Sequence, residues 1–125
     1  MADEERSPVC SPASTLIFAC SGAADVGEIS DRVARQLTAD GIGKMFCLAG
    51  VGGKVEPIMK ATNSASKIIA VDGCNLDCVK SCLQHAGFDD FQHIRITDMG
   101  MEKGKTPATR ENVITAVQNI SELLN

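Results

Sequence analysis

The stretch VDGCNLDCVKSC, Val71 to Cys82, places three cysteines four residues apart behind an apolar run and a glycine. Thiolates at such spacing can hold a soft metal ion, exchange disulfides or attack an electrophile, and cysteine is also a common small buried residue. If a helix opens after Gly73, Cys74 and Cys78 stand one turn apart on a shared face. Cys82 then lies about 12 Å along the axis from Cys74, too far to share one ion with it. It is read as a small apolar residue on the helix flank.

The weight of the pair comes from two distant cysteines, Cys20 in FACSG and Cys47 in FCLAGVGG. To meet Cys74 they need a fold that gathers strand ends. Four apolar runs offer one: Thr15 to Cys20, Lys44 to Gly50, Lys67 to Gly73 and His93 to Asp98. The first three are almost continuously apolar, as strands buried on both faces are. Between and after them run helical stripes: Val26, Ile29, Val33 and Leu37; Val55, Ile58, Met59 and Thr62; Leu76, Val79, Leu83 and Ala86; Val113, Val117, Ile120 and Leu124. Thr106 and Pro107 are placed to cap and open the last helix.

Strand-then-helix units with right-handed crossovers predict an α/β three-layer sandwich around a four-stranded, mostly parallel sheet. The expected strand order is 2-1-3-4, flavodoxin-like within the broader Rossmann-like class, with 3-2-1-4 as the alternative. Residues 1–13, acidic and rich in Ser and Pro, read as a disordered tail, and residues 14–125 as one domain.

In such a sheet, ligands collect beyond the carboxyl ends of the strands. Cys20, Cys47, Cys74 and Cys78 fall there. A closed four-thiolate set is the donor group of structural zinc and carries a net charge of about −2 with the ion. Loop amides and helix N-termini at SGAAD, GVGGK and GCNLD would offset that charge and lower the thiol pKa values. Lys54, Lys103 and Lys105 lie in loops at the same edge, either to assist or as plain solvated surface. His85 and His93 are placed at the opposite edge, as bystanders. Cys10 falls in the tail as a free thiol and the spare ligand if the tail folds over the site.

The blocks CSG (Cys20 to Gly22), CLAGVGG (Cys47 to Gly53), VDGCNLDC (Val71 to Cys78) and ITDMG (Ile96 to Gly100) together resemble the DGC-domain family, named for its central Asp-Gly-Cys motif. That resemblance implies a zinc site built from Cys20, Cys47, Cys74 and Cys78, and no assigned reaction. Within the motif, Asp72 can cap the following helix or orient a loop N–H toward sulfur, and Gly73 permits a tight turn. Asp98 ends the fourth strand before a long loop that could cover the site; a turn-forming role suits it equally.

Other chemistries remain beside zinc. One is a thiol enzyme for redox or sulfur transfer, with Cys74 attacking and Cys78 or Cys20 resolving; another is an iron–sulfur centre; the last is a set of simply buried thiols.

Phosphate chemistry fits poorly. AGVGGK has Leu48 where a phosphate loop needs its first glycine and Val55 where it needs Ser or Thr, and Val55 also breaks the dinucleotide pattern. A phosphatase loop on Cys20 would need Arg where Val26 stands.

The formal charge of −4, scattered lysines and four Phe without Trp or Tyr predict no nucleic-acid partner. With no secretory signal pattern and no apolar span of about 20 residues, the expectation is a cytoplasmic protein without a membrane partner.

Overall fold

The computed structural model describes residues 14–124, so the expected tail and Cys10 lie outside the described residues. Strand β1 (Thr15–Ala19) leads to helix α1 (Asp25–Ala39), and β2 (Lys44–Met45) to two short helices, α2 (Leu48–Gly52) and α3 (Glu56–Ser64). Then come β3 (Lys67–Asp72), α4 (Cys78–His85), β4 (Gln92–Arg95), a 3-10 turn (Ile96–Met99) and α5 (Arg110–Leu124). All strand pairs are parallel in the expected order β2-β1-β3-β4, and not in the alternative 3-2-1-4.

Side chains alternate across a strand, so β1 and β3 feed two cores. Ile17, Ala19, Ile69 and Val71 face α1 and α5, meeting Val26, Ile29, Val33, Leu37, Ala116 and Ile120. Leu16, Phe18, Ile68 and Ala70 face the other way, onto Val51, Val79 and Leu83 of α2 and α4. Both central strands are therefore apolar along their length. The three-layer sandwich follows from that alternation.

Four boundaries differ from the sequence reading. The second strand is only two residues long, because the Cys47 carbonyl accepts N–H groups from Gly50 and Val51 and winds CLAGVGG into α2. The fourth strand gives way after Arg95 to the 3-10 turn. Helix α4 starts at Cys78 rather than after Gly73, and Leu76, expected on its buried stripe, is 67% exposed. Helix α5 starts at Arg110: Thr109 Oγ1 accepts the Asn112 N–H at 3.1 Å, while Thr106 Oγ1 accepts the Glu102 N–H at 2.8 Å within the preceding loop. No helix among the described residues is long and apolar enough to cross a membrane.

Candidate functional site

The loops after β1 and β3 come together because glycine lets them press onto the first turn of α1. A Cβ on Gly27 would stand 2.8 Å from the Gly22 carbonyl oxygen, and one on Gly73 would stand 2.9 Å from the Val26 carbonyl. Gly73 thus serves a close backbone approach, in the bend that follows β3. The Cys20 N–H donates to the Val71 carbonyl at 3.0 Å, and the buried Ser30 hydroxyl donates to the Cys20 carbonyl. These contacts fix the loops that carry Cys20 and Cys74 against the first turns of α1 at the carboxyl edge.

Cys20 and Cys74 are half-buried there, and Cys78 is exposed. Cys47 is exposed at the start of α2 and shares an open cleft of about 540 Å³ with Ser21, Phe46 and Cys82. Among the described residues, no three cysteine sulfurs lie within 4.8 Å of one another. Cys82 packs against the Leu16–Phe18 core, its sulfur 3.9 Å from the Leu48 carbonyl oxygen, and burial pushes its thiol pKa up.

The electrostatics of Cys78 run against the expected lowering. Burial pushes its thiol up first, and negative charge on Cys20, Asp72 and Cys74 adds to that, with Lys103 opposing. Lys103 Nζ lies 3.6 Å from Cys74 Sγ, whereas Lys105 reaches the Glu102 carboxylate at 3.7 Å. The loop carrying both lysines is tied to α1, since the Asp25 carboxylate accepts the N–H groups of Gly104 at 3.0 Å and Thr106 at 3.2 Å.

Behind the thiols stands a charged cluster of which the sequence reading named Asp72 and Asp98 and missed Asp77, His93 and Arg95. Asp72, 1% exposed, accepts the Val79 N–H at 2.7 Å and the Lys80 N–H at 3.1 Å, so it caps α4 from the end of β3. His93 Nε2 meets the same carboxylate at 2.8 Å, which corrects the expectation of a histidine remote from the site. Arg95 forms a two-point pair with Asp77, Nε to Oδ1 at 2.9 Å and Nη2 to Oδ2 at 2.8 Å, and this hydrogen bonding holds the Asp77 carboxyl below its usual range. Asp98 is 65% exposed and takes Arg95 Nη1 at 3.3 Å. Its partner is that guanidinium. The alternation in HIRIT, polar at His93, Arg95 and Thr97 and apolar at Ile94 and Ile96, was the available signal for a polar face turned toward the site. His85, in the last turn of α4, meets the Ser81 carbonyl, with Nδ1 at 2.9 Å.

The DGC domain family model matches residues 16–120, a span that holds all four edge cysteines. The chain belongs to the DGC-domain family. A DGC-domain relative, the anaerobic and virulence modulator AnvM of Pseudomonas aeruginosa, is 35% identical over 88 residues, covering 70% of this chain and 67% of that protein. No solved structure matches the chain significantly. In this DGC domain the Asp-Gly-Cys motif has one task per residue: Asp72 caps α4, Gly73 lets the loop reach α1, and Cys74 presents a thiol beside Lys103.

Proposed function

We propose that this DGC domain binds one zinc ion through Cys20, Cys47, Cys74 and Cys78. The observation that carries the reading is placement: the four residues come from the ends of three neighbouring parallel strands and the first residue of α4, at one edge of the sheet. The donor chemistry fits a soft dication. Cys78 is disfavoured as a thiolate first by burial and then by the acidic groups around it, and a bound cation would offset both. The sulfurs must draw closer than they stand here, because Zn–S bonds are about 2.3 Å. Bound zinc would supply a crosslink between strand ends, and with four protein ligands it would leave no position for an activated water.

The name of the Pseudomonas relative, a modulator, supports a regulatory use of such a centre over a catalytic one. A second reading is thiol chemistry at Cys74, favoured by the ammonium of Lys103 standing 3.6 Å from its sulfur.

Metal analysis of protein purified without chelator separates them. About one zinc per chain supports the first reading. Metal-free protein with a single fast-alkylating cysteine at position 74 supports the second, and visible absorbance with iron would replace both by an iron–sulfur centre.

A further inference from the structure

The turn Cys74–Asn75–Leu76–Asp77 separates the two thiols of the motif, and past Cys74, which packs against the α1–α5 core, little apolar packing holds it. Leu76 points to solvent, and the turn closes through one backbone bond, Asp77 N–H to the Cys74 carbonyl at 3.2 Å. Asp77 itself is left-handed, at φ 55° and ψ 47°, a conformation that side chains other than Asn and Asp adopt reluctantly. From that residue the chain enters α4 at Cys78.

We infer that β4 carries a two-point clamp, His93 on Asp72 and Arg95 on Asp77, that sets the spacing of the Cys74 and Cys78 thiols. His93 and Arg95 are two residues apart on one strand, so their side chains share a face. One holds the carboxylate that caps α4; the other holds the left-handed residue that opens it. His93 Nε2 also lies 3.7 Å from Asp77 Oδ1, which links the two arms. Cys74 and Cys78 are thus bracketed on both sides by groups anchored to the sheet. Asp72, Asp77 and His93 are close enough to suggest a second metal site, their ligand atoms lying within 4.8 Å of one another. Their partners argue otherwise: Asp72 is taken by two amides and a histidine, and Asp77 by a guanidinium.

The clamp rests on the reading that the two thiols act as a pair, and two probes keep the questions apart. Zinc affinity is measured by competition with a chromophoric chelator. In metal-free protein, the affinity for phenylarsine oxide, which bridges two nearby thiols, reports their spacing without zinc. Arg95→Ala should weaken both on the order of tenfold, as loss of an outer partner of a metal ligand does. Asp77→Ala should do the same, and the double variant should be no worse than either single one, because the arginine acts through the aspartate. Asp77→Asn, which tolerates the left-handed conformation and keeps one acceptor, should recover most of the loss.

If the variants keep wild-type affinity for both probes, or lose it additively and in step with their melting temperatures, the clamp is wrong. If wild-type protein binds no zinc but its arsenical affinity falls in the variants, the zinc reading fails and the clamp stands. Wild-type protein that bridges neither probe would overturn the pairing of the thiols and the clamp with it.

Discussion

Lys103 Nζ sits 3.6 Å from Cys74 Sγ, so the loop between the 3-10 turn and α5 brings a positive charge onto the cysteine of the Asp-Gly-Cys motif. Both partners are reachable from solvent, and exposed ion pairs are worth about 0.2–1 kcal/mol. Lys103→Gln should therefore slow alkylation of Cys74 in metal-free protein by about fivefold at most at neutral pH. Rates of iodoacetamide labelling, read peptide by peptide, check this. An unchanged rate at Cys74 would remove the lysine from the chemistry of the site.

The lysine is held in place from a distance by Asp25. That carboxylate is lowered below its ordinary value chiefly by the Gly104 N–H, with the N–H groups of Val26 and Thr106 adding to it. A lowered pKa means the latch is intact above the ordinary value of 3.8 and is lost as pH falls through the folded value beneath it. Amide exchange at Gly104 and Thr106 should show protection above that window and lose it below. In Asp25→Asn the pH step should vanish, with both amides exchanging faster throughout. A step that survives the substitution would place the latch elsewhere.

Cys78 and Cys82 lie on the same short helix and should part company in metal content. Cys78→Ser replaces a soft thiolate by a hydroxyl and should sharply reduce zinc retention, since three strong ligands remain. Cys82→Ala removes a half-buried sulfur packed against the Leu16–Phe18 core and should keep the zinc, at a cost of about 1 kcal/mol in stability. Zinc stoichiometry in both variants decides it. Loss in Cys82→Ala with retention in Cys78→Ser would move the site to the cleft that Cys82 shares with Cys47.

The sheet was legible because its signal is long and redundant. Leu16, Ile17, Phe18 and Ala19, like Ile68, Ile69, Ala70 and Val71, must be buried on two faces, and only a central parallel strand does that. The cysteines could be placed at its carboxyl edge by counting from those strands. The ends of the helices were less readable. A spacing of four between Cys74 and Cys78 suits a helical turn, yet Asp72 reaches past Cys74 to cap Val79 and Lys80, so the helix starts later. The charged cluster was hidden for a related reason. His93 and Arg95 are distant in sequence from Asp72 and Asp77, and only the β3–β4 register, which pairs Ala70 with His93 and Asp72 with Arg95, brings them together.

The two glycines that flank the thiols should respond oppositely to a single methyl group. A Cβ on Gly73 would stand 2.9 Å from the Val26 carbonyl carbon and oxygen and 3.0 Å from the Gly27 nitrogen, all backbone of the first turn of α1. Backbone on that side cannot rotate away, so Gly73→Ala must push β3 and α1 apart, at a cost of about 1–3 kcal/mol as for other overpacked positions. A Cβ on Gly22 would meet only the Cys20 sulfur, at 3.4 Å, an ordinary contact that a side chain can absorb. Gly22→Ala should stay within about 0.5 kcal/mol of the parent. Urea denaturation of the two variants measures the difference. Because the same approach holds the loop that carries Cys74 onto α1, Gly73→Ala should also lose zinc affinity, and an unchanged affinity would mean that the contact of the β3 loop with α1 does not align the thiols.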